Sequence, residues 1–565
     1  MATETTDVIL IGAGAAGGIL AKQLGTAGLK VVAFDRGAML TLEDYAARDE
    51  IKFVVRGAQL EWARHDPVAF RNTPAEASTL KYDTVSGVGG QMLHWTAQSS
   101  RLLPGDFKVA TNEIASGIAD RAGADLSGYE IYDWPIAYDD LEPYYERFEW
   151  EFGISGDSGA RGANPFAGPR RHGFPLPGLR TNAKMEIFRR ASSELGYHPY
   201  DGAAGVLSQK YRPAAPHDTR IPERPACTYC GHCNDYGCHV QAKADALYSI
   251  MPAALTTGNV DLRTNTRVVR IDLDDTGRAA GVTYFTPERQ LVQLRAKAVV
   301  LCGYTFENSR LLLASERKGT RGIANSSGQV GHGAFGHGDV NVFGLFDDYI
   351  VNSFIGPNSA ATRIDDFNGN NFDHTGLGFI RGAGIGTSGS GTPVERYNTF
   401  PPEMRGWGKT YKEFLAHAYT RTVEVNVTPE TLAHRDNRID LDPDHNDDWG
   451  VPLPRLTFSF HQNERRMHDH LAEVGRTILR KAGAKTIWTK MPGNNGSRWA
   501  GGTRMGSDPA TSVVDANCRT HDVENLFVTG ASVFPTLTGF PPTATVGALA
   551  YRTADYLIAQ RDLFH

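Results

Sequence analysis

Six cysteines in 565 residues are too few for a disulfide scaffold, and no segment approaches the ~18 uninterrupted apolar residues of a membrane span. An excess of basic charge is missing too. The 58 lysines and arginines face 64 acidic residues, for a net charge of −6, and no basic run stands out, so the electrostatic footprint of a nucleic-acid binder is absent. The start, Met1-Ala2-Thr3-Glu4-Thr5-Thr6-Asp7, has neither the basic nor the apolar region of a secretory signal. The expectation is a cytoplasmic protein with no membrane span, co-export to the periplasm on a partner being the other route open to it. Internal repeats and low-complexity tracts are lacking, and 41% apolar with 22% charged residues is ordinary globular usage, which argues against disorder.

Glycine is what the chain has in excess: 61 residues, about 11% against a usual ~7%. Its placement is informative. The apolar run 7–11 (DVILI) stops at Gly12-Ala13-Gly14-Ala15-Ala16-Gly17, Ile19, Leu20 and Leu24 then recur at helical spacing, and a second apolar run, 31–34, ends in Asp35. Strand, glycine turn, helix, strand and acid in this order open a dinucleotide-binding unit. Gly12 permits the turn, Gly14 lets backbone approach a pyrophosphate, and Gly17 lets helix pack on strand. Asp35, 23 residues after Gly12, is placed to accept from a ribose hydroxyl. With no second fingerprint of this quality, one resident dinucleotide, FAD, is expected.

Further along, Ser86-Gly87-Val88-Gly89-Gly90-Gln91-Met92-Leu93-His94-Trp95-Thr96 has the composition of a loop over a ligand. Residues 40–80 read as charged and irregular, 134–150 as a turn into an amphipathic helix, 155–180 as a Gly/Pro-rich linker, and 258–301 as a three-stranded meander ending at Cys302-Gly303. Residues 331–410 have weak periodicity, 462–483 form an amphipathic helix, and the end is strand, loop, helix.

Cys227, Cys230, Cys233 and Cys238 fall within twelve residues. Four soft ligands spaced C-x2-C-x2-C-x4-C suit an iron–sulfur cluster, although ferredoxin spacing is one residue shorter at the end and closes on proline where this chain has His239. Zinc and plain structural thiols remain open at this point.

Taken in order, these blocks resemble the glucose–methanol–choline (GMC) flavoprotein oxidoreductases. The resemblance is carried by Gly12 to Asp35, Gly87 to Thr96, Val299 to Gly303, Ser309 to Leu313, and Gly501-Gly502-Thr503-Arg504-Met505-Gly506 through Thr543. The cysteine bunch and the His-Trp pair resemble, within that family, the large subunits of bacterial gluconate, fructose and glucose FAD-dependent dehydrogenases, with some likeness to pyranose 2-oxidase, in which the matching histidine is joined covalently to the flavin. The resemblance implies an α/β fold: a Rossmann-like FAD-binding domain from residues 1–110, 255–330 and 510–565, and a mixed-sheet substrate domain from 111–254 and 331–509, with the cysteine loop at 226–240.

It also implies FAD contacts at Gly87, Gly89, Gly90, His94, Trp95, Thr96, Gly303, Gly530 and Thr543, a [3Fe–4S] cluster on Cys230, Cys233 and Cys238 with Cys227 as a fourth thiol, and an electron-accepting cytochrome or small subunit. The implied activity is hydride transfer to flavin from a CH–OH group on a polar, sugar-like or carboxylated small molecule. An oxygen-using oxidase and a non-catalytic flavoprotein subunit are the rival readings. One departure stands out. Relatives carry a histidine shortly before Gly-Gly-Thr and an asparagine before the last Pro-Thr, whereas here Arg498 and Pro541 occupy those places. Candidate replacements for the base are His94, His337 and His461, and Arg498, which is no base at neutral pH, points to an anionic substrate group or a non-alcohol reaction.

Overall fold

The computed structural model describes residues 4–46, 64–234, 236–315, 321–351, 356–387, 393–397, 399–494 and 496–561. Strand Thr5–Ile11 lies parallel to Val31–Phe34 on one side and to the second half of Leu291–Leu301 on the other. Val260–Arg263 and Leu526–Val528 extend this parallel sheet at either edge. Its strands are nearly continuous runs of Val, Ile, Leu and Phe because helices Ala15–Thr26 and Thr543–Ala559, with their neighbours, cover it. The α/β expectation holds.

The stretch 258–301 holds the expected three-stranded meander and one strand more. Val260–Arg263 leaves for the parallel sheet, and the antiparallel three are Arg267–Leu273, Ala279–Phe285 and the first half of Leu291–Leu301. That last strand serves both sheets: its exposed, alternating start faces the meander, and Ala298–Leu301 is fully buried in the parallel core. The segment 40–80, read as irregular, contains strand Arg64–Arg71, which forms a hairpin with Thr79–Ser86 and pairs with Pro452–Thr457. Its charged residues disguised the alternation, and 47–63 lie outside the described residues.

The second large sheet has six antiparallel strands in the order Thr486–Lys490, Val340–Leu345, Thr422–Pro429, Ala383–Thr387, Thr362–Ile364 and Tyr200–Asp201. Val342, Val425, Val427, Ile385 and Ile364 cover one face and pack on Met467, Leu471 and Ile478 of helix Gln462–Ala482, the amphipathic helix expected there. Side chains alternate across a strand, so the other face is left to a different set of residues. The period of the three strands of this sheet that lie within 331–410, Val340–Leu345, Thr362–Ile364 and Ala383–Thr387, is broken by glycines and short runs.

Candidate active site

The glycine turn is fixed by contacts that only glycine allows. Gly12 has φ +105°, and a Cβ there would lie 2.6 Å from the Cys302 carbonyl oxygen. At Gly17 a Cβ would lie 1.8 Å from the Gly12 oxygen, so the helix reaches the strand only without one. Gly14 precedes helix Ala15–Thr26 with no side-chain cap, which leaves the first N–H groups of a twelve-residue helix open to an anion. The second glycine loop packs on the first: the Gly89 N–H donates to the Ala13 oxygen at 2.9 Å, and a Cβ on Gly90 would come within 3.1 Å of Gly14 Cα.

Asp35 ends its strand with Oδ2 accepting from the Ala13 N–H at 3.0 Å and Oδ1 from the Gly37 N–H at 2.8 Å. Burial raises its pKa, and those two donors pull the other way. Beside it, Arg36 is held by Glu307 at 2.8 Å and Asp66 at 3.1 Å, an anchor that sequence reading missed although the charge follows Asp35 directly. Asn308 belongs to no motif in the sequence. Its Oδ1 accepts from the Gly303 N–H at 2.8 Å and its Nδ2 donates to Ser532 Oγ at 2.9 Å, which ties the turn at Gly303 to the Thr529–Ser532 segment.

All these elements open on one cavity of about 550 Å³. Its walls include Gly12, Gly14 and Asp35, then Gly87, Gly90, His94, Trp95 and Thr96, then Gly303, Gly530 and Thr543. Gly17 and Gly89 do their work behind the wall, in the helix packing and loop contacts just described. Thr543 begins helix Thr543–Ala559, a second uncapped helix N-terminus at the cavity, and buried Thr529 Oγ1 has no hydrogen-bond partner. A chain of free N–H groups, an acid on the second strand and an orphan hydroxyl fits a dinucleotide such as FAD.

Arg498 and Pro541 both reach the cavity wall. Arg498, at φ +54°, is engaged: its Nη1 donates to Asp339 Oδ2 at 2.9 Å and Oδ1 at 3.1 Å. Trp499 beside it is buried against Phe306 and Phe458 and also lines the cavity. The three candidate histidines are dispersed. His94 lines the cavity, its Nε2 2.5 Å from Gln91 Oε1. His337 lies behind the wall on strand Phe335–His337, paired with Ser497, with Nε2 donating to the Thr538 carbonyl at 2.6 Å and a buried Nδ1 that has no partner. Burial, with Arg498 adding to it, lowers its pKa to about 4. His461 stands apart from the cavity-lining residues, its ring stacked on His434 at 3.4 Å, and burial together with that neighbour lowers its pKa to about 4.

The cysteine loop abuts the cavity: Asn234 lines it, and Trp95 Nε1 donates to the Ala244 oxygen at 2.7 Å. Buried Lys243 donates from Nζ to the carbonyls of Trp95, Cys233 and Tyr236. The four thiols are close enough for Cys227 to feel Cys238 and Cys230, and burial pushes Cys227 up to about 11 and Cys233 up to about 12. Among the described residues, however, no three His, Cys, Asp or Glu side chains converge as metal ligands.

With the site in view, comparison with known proteins gives one answer. Family models described as GMC oxidoreductase match residues 133–337 and 433–550. The chain is 32% identical to the gluconate 2-dehydrogenase flavoprotein of Pantoea cypripedii, over 98% of this chain and 93% of that one. It is 26% identical to the fructose dehydrogenase large subunit of Gluconobacter japonicus, over 98% of both. Among solved structures, pyridoxine 4-oxidase superposes with a TM-score of 0.60 at 16% identity, covering 98% of this chain and 99% of that one. Formate oxidase does so at 0.60 and 15%, covering 99% of both. The chain belongs to the GMC oxidoreductase family. It is an FAD-dependent oxidoreductase of the dehydrogenase and oxidase type.

Proposed function

We propose that the protein is an FAD-dependent dehydrogenase that oxidises a CH–OH group on a polar, sugar-like or carboxylated small molecule and hands the electrons to a partner subunit. The observation that carries the reading is the single cavity that runs from the dinucleotide turn to Ser497, Arg498, Trp499 and Pro541, the segments where relatives keep their reacting groups. When bound, FAD supplies the acceptor for a hydrogen leaving carbon as hydride. The chain must supply the rest. Gly12, Gly14 and Asp35 hold the dinucleotide, Trp95 and Trp499 exclude water, and the alcohol proton needs an acceptor. Arg498 is not that group, being permanently charged and bound to Asp339. His94 is the candidate imidazole that lines the cavity, and we assign the proton to it.

The names of the similar proteins, a gluconate 2-dehydrogenase and a fructose dehydrogenase large subunit, support a sugar-like substrate and a subunit partner. Anaerobic titration of the bound flavin with candidate sugars and sugar acids is the test. Bleaching supports the reading, and no bleaching with any of them makes the chain a non-catalytic subunit. Oxygen uptake at the rate of substrate oxidation would make it an oxidase.

An iron–sulfur cluster on Cys227, Cys230, Cys233 and Cys238 remains a proposal for metal analysis to decide. Its support is four thiols on one loop beside the cavity, with buried Arg224 and Lys243 near Cys238 and Cys233 as positive charge for an anionic group. Iron below about a tenth of an atom per chain after anaerobic purification, with no zinc, assigns the cysteines as structural thiols.

A further inference from the structure

We propose that His337 is a positioning residue for the reaction: by donating from Nε2 to the Thr538 carbonyl it holds the Pro541 wall of the cavity at a fixed distance from the wall of Arg498 and Trp499. This rests on the functional reading above, which gives that end of the cavity to the substrate, and adds a residue to it. The first wall is built as a bulge. Phe335 pairs with Ala500 and His337 with Ser497, so Gly336 alone faces Arg498 and Trp499 together. A bulge re-aims the side chains it carries, and both of these line the cavity. Two features keep it in place. Arg498 takes a left-handed φ of +54°, uncommon for a residue with a Cβ, and its guanidinium is tied to Asp339, two residues beyond His337. Gly336 gives Trp499 its room, since a Cβ there would lie 2.7 Å from the indole ring.

The opposite wall has few means of being held. Pro541 and Pro542 both line the cavity, and neither has an N–H to give. Just upstream, Leu537 exchanges backbone hydrogen bonds with Thr431 at 3.0 and 3.2 Å, and Gly539 lies so near Gly384 that a Cβ would come within 2.5 Å of its nitrogen. Among the described residues, a single side chain hydrogen-bonds the backbone of 538–542, and it is His337, at 2.6 Å. The carbonyl can only accept, so the neutral ring carries its proton on Nε2, which leaves Nδ1, buried and without a partner, bare. The side chain is 1% exposed, and burial lowers its pKa to about 4, so the ring stays uncharged through the neutral range. His337 therefore belongs to one wall by its backbone and to the other by its ring. The opening between Arg498 and Pro541 is spanned by one imidazole. Such a spacer acts on the approach of the reacting atoms, where a displacement of about 1 Å lowers rate more than it lowers binding.

The test replaces His337 in the FAD-loaded protein by Gln, Asn and Phe. A glutamine amide nitrogen reaches about as far as Nε2 and donates, an asparagine ends nearer the backbone, and phenylalanine fills the space with no donor. His337→Gln should keep kcat within about threefold of wild type, whereas His337→Asn and His337→Phe should lose about ten- to hundredfold in kcat with KM moved less than about threefold and flavin content unchanged. Visible circular dichroism of the bound FAD needs no substrate and should change in the Asn and Phe variants but not in Gln. That result without turnover of any candidate substrate supports the role of His337 and faults the dehydrogenase reading alone. NMR of labelled histidine in the wild type should show a neutral ring protonated at Nε2, a measurement that stands even where the Asn and Phe variants fail to fold. A ring protonated at Nδ1, a Gln variant as impaired as Phe, a loss carried by KM with kcat unchanged, or wild-type kcat and dichroism in both Asn and Phe overturns the assignment.

Discussion

At the scale of single residues, the site is governed by which charges find partners. Asp35 gives both carboxylate oxygens to backbone N–H groups of the turn and lines the cavity, so it orders the glycine loop at the cavity wall. Asp35→Ala should weaken FAD retention by about 1.5–3 kcal/mol, roughly ten- to hundredfold, read as flavin content after dialysis. Unchanged content would remove the assignment. Arg498 has a different consequence. It depresses the pKa of His337 while Asp339 raises it, so Arg498→Met takes away the first influence and leaves the second unopposed. The His337 imidazole should then titrate above its present value of about 4, as followed by NMR of labelled histidine. A titration identical to wild type would show that the guanidinium does not act on that ring.

Elements position these residues through backbone contacts that tolerate no side chain. Helix Ala15–Thr26 can present its free N–H groups at the cavity because Gly17 sits against Gly12. Gly17→Ala puts a methyl into backbone rather than into a yielding side chain, and should cost about 1–3 kcal/mol or more together with loss of bound FAD. Gly493→Ala, where nothing lies within 4 Å, is the matched control and should leave melting temperature and flavin content alone. The six-stranded sheet shows the same division of labour: valines and isoleucines hold one face to its helix, which frees the opposite face for the polar row of Arg363, Asn426 and Asn341. Legibility in the sequence followed element length. Helix Gln462–Ala482 shows its period over 21 residues, whereas Thr362–Ile364 has three residues and no period to read.

For the whole molecule, burial of titratable rings makes stability depend on pH. His337 and His468 are both buried, each with one ring nitrogen unpartnered, and each titrates near 4 in the folded protein against an ordinary 6.5. The unfolded chain takes up their protons first as pH falls. Their stability is therefore fully present above about pH 6.5 and is lost progressively toward pH 4, by up to about 3 kcal/mol per ring. Thermal unfolding across that window should show a falling melting temperature. His468→Phe, which keeps a ring against Phe460 and has nothing to protonate, should shrink the fall. An equal slope in variant and wild type would mean that His468 is not protonated on unfolding in this range.

What the sequence by itself determined is the dinucleotide unit and the family. A glycine turn between two strands is written within some thirty residues, and the atoms that forbid a Cβ at Gly12 and Gly17 belong to that unit or to the Cys302–Gly303 turn that ends the strand packed on it. The roles of the charged residues were decided only by the tertiary structure. Arg498 reads in sequence as an available cation, whereas in the fold Asp339, 159 positions away, is its ion-pair partner; Arg363 belongs to no sequence motif, and sheet register leaves it buried beside an amide. The four cysteines were legible as a bunch, while their convergence as ligands depends on how the loop closes, which spacing does not fix. Neutralisation and desolvation are pairwise properties of groups far apart in the chain, so they come into being only when the fold brings those groups together.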